Sequence, residues 1–118
     1  MFGFGKAMST GQRKCIDWTK TGKNLQLLRR DNIALRRFVC RTLNLDKGDC
    51  DGMCETCRYE MDNSISRVEL SRIFLVSESV IFNWESGKTP VSLEDMLCYC
   101  RIANVRLDDV VVFYDTEQ

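Results

Sequence analysis

Histidine is absent from this 118-residue chain. Its absence removes the side chain that most often serves as general base near neutral pH, and with it any Cys–His or Ser–His–Asp arrangement. A protein that is not an enzyme is therefore expected. No apolar run approaches the roughly 20 residues that a bilayer span requires. The opening MFGFGKAMSTGQRKC lacks the apolar stretch of about 7–15 residues that marks a secretory signal. Cytoplasmic residence without membrane association is the expectation. Proline occurs once, at Pro90.

Hydrophobic residues make up 44% and charged residues 29% of the chain, the balance of a globular domain with one modest core. The net charge is zero but unevenly spread. Residues 1–45 carry ten Lys/Arg against two Asp/Glu, and residues 46–118 carry seven against fifteen, giving halves of +8 and −8. A basic arm or face beside an acidic body is either a solvated helix exterior or a footprint for an anionic partner such as nucleic acid.

Residues 1–21 hold glycines, scattered lysines and no periodicity, and read as a flexible basic leader. From Gly22 to Leu43 the pattern is helical: Leu25, Leu28, Leu35, Phe38, Val39 and Leu43 form an apolar stripe, with Arg29, Arg30, Arg36, Arg37 and Arg41 on the remaining surface. Asn32 interrupts it, so one bent helix or two short ones are expected. Residues 44–65 lose periodicity and read as a loop or knob.

The rest is punctuated by capping signals. Ser66 with Glu69 opens a helix to Phe74. Val76–Ser77 breaks the chain and caps a second helix ending near Glu85, where Gly87 supplies a left-handed terminus. Beyond Pro90, Ser92 with Asp95 opens a third helix to Ala103. Leu107–Phe113 is read as a short helix begun by Asp108 and Asp109, although VVVF suits a strand equally. Leu70, Trp84, Ile81 and Leu97 are assigned to the core, with Cys100 at a small buried position.

Two short helices around the break in FLVS have helix-turn-helix spacing. The run SRVELSRIFLVSESVIFNWESGKTPVSLEDMLCYCRIANVRLDDVV resembles the phage-repressor/Cro-type (Xre-like) helix-turn-helix transcriptional regulators. The likeness lies in E-L-S on the first helix, the V-S turn, I-x-x-W-E-x-G-K, P-x-S-L-E-D-M-L and the closing V-x-L-D-D.

This resemblance implies an all-α, five-helix lambda-repressor-like bundle over residues 22–113, with 44–65 inserted between its first two helices and 114–118 as a tail. It implies that residues 77–85 enter the major groove of double-stranded DNA. Base-reading positions fall on Ser77, Glu78, Ser79 and Asn83, with Phe82 beside them. Asn83 suits adenine, Glu78 suits cytosine N4, and Phe82 suits a thymine methyl. Ser66, Arg67 and Lys88 match phosphate-contacting positions. Glu78 and Phe82 depart from the usual polar, uncharged pattern and favour an alternative, a protein-interaction adaptor or antitoxin-like module on the same fold. A homodimer on paired half-sites is expected for the DNA binder. VVVFY is one candidate for its surface, but closing the monomer's own core is the preferred reading.

Seven cysteines, an odd count without an export signal, favour reduced thiols or metal ligation over disulfides. CDGMCETC places Cys50, Cys54 and Cys57 within eight positions, and Cys40 could complete a Cys₄ set for structural Zn²⁺. Reversible thiol–disulfide chemistry, a cluster-based sensor and unligated thiols compete with that reading. A metal- or redox-responsive regulator is accordingly a further alternative.

Overall fold

The computed structural model describes residues 15–43, 53 and 65–114. Among them are six helices: α1 (Trp18–Asp31), α2 (Ile33–Leu43), α3 (Arg67–Phe74), α4 (Glu78–Ser86), α5 (Leu93–Ala103) and α6 (Leu107–Val110). The all-α expectation holds. No helix among the described residues is long and apolar enough to cross a membrane.

Local chemistry accounts for most boundaries. Asn32 both ends one helix and starts the next. Its N–H donates to Leu28 O at 3.0 Å, and its side-chain oxygen accepts from Leu35 N at 2.7 Å. The helical region predicted from Gly22 to Leu43 is thus two helices. Ser66 and Glu69 form the reciprocal capping box, both bonds at 3.0 Å. Ser77 and Ser92 cap α4 and α5 through the N–H groups of Val80 and Asp95. Gly87 ends α4 at φ 80°, where a side chain would be strained.

The helical region starts earlier than expected. Asp17 caps α1, accepting from Lys20 N at 3.1 Å, so the helix begins at Trp18 rather than Gly22. Cys15–Asp17 pairs with the C-terminal segment: Asp17 N donates to Val112 O at 2.7 Å and Tyr114 N to Cys15 O at 2.9 Å, flanking an antiparallel bridge between Ile16 and Phe113. The last element therefore takes both predicted conformations in succession, helix to Val110 and extended chain beyond. Val110 is buried, whereas Phe113 and Tyr114 are exposed, so VVVFY closes the core only through its first valines.

Leu25, Leu35, Ile65, Leu70, Ile81 and Trp84 lie at the centre of the core, with Met96, Tyr99 and Cys100 facing them from α5. Ile65 was placed in the insertion but is fully buried. Leu97 and Phe38, expected inside, are 49% and 39% exposed. On α5 the face carrying Met96, Tyr99 and Cys100 is buried in the core, Tyr99 against Leu25 of α1 and Phe74 of α3, which turns Leu97 outward.

Gly22 fixes how closely α1 approaches α4. A Cβ there would stand 2.6 Å from Glu85 O and nearer still to Trp84 O. Those carbonyls cannot retreat without moving the helix end. Gly22→Ala is therefore expected to destabilise by about 1–3 kcal/mol, outweighing the gain of about 1 kcal/mol in helix propensity. A thermal melt at or above wild type would contradict this close approach.

Tyr99 donates its hydroxyl to Leu25 O at 3.2 Å and stacks at a tilt on Phe74, 5.2 Å between centroids. Burial, then the Glu85 carboxylate, push the phenol up from its ordinary 10.0, with Arg29 opposing. Burial and Asp109 also raise the Cys100 thiol. The Tyr99 phenol stays neutral in the fold while the unfolded chain ionises, and the Cys100 thiol ionises later in the fold than in the unfolded chain. Their contribution is complete below the unfolded values and is lost as pH rises beyond them. Stability is expected to fall above pH 10 by about 1.4 kcal/mol per pH unit from Tyr99. Urea titrations across that range should show a smaller loss in Tyr99→Phe; an equal loss would remove the phenol as its source.

Candidate nucleic-acid interface

Helix α4 is held from behind and left open in front. Its rear face is Ile81, Trp84 and Glu85, all buried. Trp84 meets Phe74 of α3 edge-on, with centroids 5.5 Å apart and planes at 86°. The turn from Leu75 to Ser77 sets α3 against α4, with Leu75 left-handed at φ 58° and Val76 N bonded to Ser71 O at 3.0 Å.

Glu85 is the electrostatic anchor. Its carboxylate, 3% exposed, accepts from Arg29 Nε at 2.6 Å and Nη2 at 3.1 Å, and from Arg67 Nε at 3.0 Å. The third donor of Arg29, Nη1, reaches Ile65 O at 2.8 Å. Arg29 was expected on the solvated face but is buried. Two guanidiniums on one carboxylate leave the trio with a net positive charge. These bonds join α1, the chain entering α3, and α3 itself to the end of α4.

In front, Ser77, Glu78 and Ser79 are exposed at the first turn, and Asn83 is half-buried one turn on. The serine hydroxyls lie 3.1 Å apart. Among the described residues, the side chains of Glu78 and Asn83 have no hydrogen-bonding partner. The carbonyl of Asn83 is occupied, accepting from Ser86 Oγ at 3.2 Å and Lys88 N at 2.9 Å. Its side chain is thus available while its backbone is pinned.

Phe82 is 51% exposed, as expected, with the Arg67 guanidinium 5.3 Å above its ring centre. That contact and the bond to Glu85 hold Arg67 beside α4, still part-exposed at the α3 N-terminus. Ser66 is exposed with its oxygen committed to the capping box, although its hydroxyl proton remains able to donate. Lys88 is exposed just beyond α4.

A cleft of about 300 Å³ runs beside α4, lined by Thr19, Lys23 and Gln26 of α1 together with Arg67, Phe82 and Ser86. Thr19 was missed because residues through 21 were read as leader, and Lys23 and Gln26 because the predicted helix was not placed beside α4. Their i, i+4, i+7 spacing was the available signal.

The cysteine set is only partly within view. Cys40 is buried on α2; Cys50, Cys54 and Cys57 lie outside the described residues. No group of three or more Cys, Asp or Glu side chains able to hold a metal occurs among the described residues. Comparison of the chain with protein-family models, with curated proteins and with solved structures returns no match.

Proposed function

We propose that this chain is a sequence-specific DNA-binding transcriptional regulator of the phage-repressor/Cro type, without catalytic activity, in which α4 enters the major groove. In this reading α1, α3, α4, α5 and α6 form a lambda-repressor-like five-helix bundle, and α2 with the following segment is an addition between its first two helices. The observation that carries the proposal is the row Ser77, Glu78, Ser79 and Asn83. Polar side chains stand open along one face of a helix whose other face is locked by Trp84 and Glu85.

The major groove is wide enough to admit such a helix, and base edges supply the missing partners. Asn83 pairs with adenine N6 and N7, Glu78 accepts from cytosine N4, and the serines reach base edges or phosphate. Phe82 contacts a thymine methyl. Ser66, Arg67 and Lys88 bind phosphates and set the register. A single module makes few contacts, so the protein acts as a dimer on paired half-sites.

Asn83→Ala is expected to cost about 1–3 kcal/mol on the preferred duplex and little on a scrambled one. Lys88→Ala should instead weaken both alike and reduce the log–log salt slope by about 1. Fluorescence anisotropy across a salt series separates the two effects. Equal losses of Asn83→Ala on both duplexes would remove α4 as the reading element.

The exposure of Phe82 and the adjacent Glu78 supports a second reading, a protein-binding adaptor on the same scaffold. That module would fail with Phe82→Ala and tolerate Asn83→Ala.

A further inference from the structure

The close approach at Gly22 sets α1 beside the end of α4. Thr19, Lys23 and Gln26 fall on one side of Gly22 along α1, and all three line the 300 Å³ cleft whose other wall is Arg67, Phe82 and Ser86. Lys23 is exposed, with no ion-pair partner among the described residues. Arg67 spends its Nε on Glu85 and rests on the Phe82 ring, which leaves its Nη groups for a further acceptor. Glu85 lines the cleft too, but Arg29 and Arg67 together answer its carboxylate, so the wall it shares is positive.

Thr19 also lines a second cleft, of about 580 Å³, between Trp18 at the start of α1 and Gly87–Lys88 beyond α4. Gly87 permits that approach, since a Cβ there would stand 2.6 Å from the Thr19 Cα. Arg67, Lys23, Thr19 and Lys88 therefore border two clefts that meet at Thr19. One runs along the flank of α4 and the other passes its end.

We infer that this border is a track for the sugar-phosphate backbone of one DNA strand. Lys23, with Thr19 and Gln26, contacts the phosphates that lie between those held by Arg67 and Lys88. The inference rests on the DNA-binding reading of α4 and extends it to α1. Its basis is position. A helix with its side chains is about 10–12 Å across and the major groove about 12 Å wide, so a helix reading base edges brings its flanks against the phosphate walls. Phe82 and Ser86 stand on the flank next to the row Ser79 and Asn83, and the cleft opens from that flank. The donors suit a phosphodiester: an ammonium, a guanidinium, a hydroxyl and an amide can all reach its unesterified oxygens. Such contacts carry no sequence information, so the track adds affinity and register without base preference.

The test uses the full-length protein and a labelled duplex of scrambled sequence, because phosphate contacts need no particular bases. Lys23→Ala should weaken binding severalfold at low salt and reduce the log–log salt slope by about 1. Lys23→Ala/Lys88→Ala should reduce the slope by about 2. Lys23→Arg should keep the wild-type slope, whereas Thr19→Ala and Gln26→Ala should lower affinity without changing it. Lys20→Ala removes an equal charge from outside both linings and should change the slope less than Lys23→Ala. Thermal melts matching wild type should confirm that the variants fold. Wild-type affinity and slope in Lys23→Ala, or an equal slope change in Lys20→Ala, would overturn the inference and leave the reading of α4 standing. A wild type that binds no duplex at low salt would overturn both. Inorganic phosphate that displaces the duplex more than chloride at equal ionic strength, but not from Lys23→Ala, would overturn it in favour of a free phosphate ligand.

Discussion

Replacing Arg29 with alanine is expected to cost about 3–5 kcal/mol of folding stability, the usual penalty for breaking a buried ion pair from one side. The Glu85 carboxylate, 3% exposed, would lose its two bonds to Arg29 and keep only Arg67. Ile65 O would lose its partner as well. Lysine should rescue only part of the loss, because it keeps the charge but not the planar fork that reaches Glu85 and Ile65 together. Removing both charges in Arg29→Met/Glu85→Leu should cost less than the single substitutions Arg29→Met and Glu85→Leu summed, since only the part-exposed Arg67 is then left without its carboxylate. Urea denaturation of wild type, Arg29→Met, Glu85→Leu and the double variant completes the cycle. A loss below about 1 kcal/mol for Arg29→Ala would mean that Glu85 is effectively solvated.

Trp84→Ala should be comparably damaging, by about 3–5 kcal/mol. The indole is 5% exposed and packs edge-on against Phe74, while the Trp84 carbonyl lies against Gly22. Its removal opens a cavity behind α4 among helices that cannot collapse freely around Gly22. Trp84→Phe should recover a large part of the loss by refilling the space and keeping an aromatic edge contact. Under the DNA-binding proposal, Trp84→Ala would weaken preferred and scrambled duplexes together through misplacement of α4, unlike Asn83→Ala. Paired melts and duplex titrations distinguish the two mechanisms. A Trp84→Ala protein that melts with wild type would contradict the packing described here.

The contrast between these residues explains what was legible in the sequence. Helix boundaries set by local hydrogen bonds could be read directly: Ser66 with Glu69, Ser77, Ser92 and Gly87 all cap as their residue types predict. Features decided by distant partners could not. Arg29 fits a solvated stripe by periodicity, but the carboxylate that draws it inward is 56 residues away. Gly22 looked only like the start of the helical stretch, because the value of a missing Cβ depends on α4 lying against it. Leu97 and Met96 are neighbouring apolar residues on α5, and only the way α5 packs on the other helices decides which turns inward.

The same division applies to the candidate site. Exposure of Ser77, Glu78, Ser79 and Phe82 agrees with the base-reading positions that the family resemblance implied. The capture of Arg67 between Glu85 and Phe82 did not, because it depends on how α3 crosses α4. Thr19 joined the α4 cleft only once α1 was known to begin at Trp18, and Lys23 and Gln26 only once α1 was known to lie against α4.

The most direct test of the central proposal is selection of random duplex DNA on purified protein at moderate salt, followed by titration of the recovered sequence. The proposal predicts an enriched motif with half-sites in inverted repeat, spaced by about one helical turn, and loss of that preference in Asn83→Ala. A folded protein that enriches no sequence would contradict it.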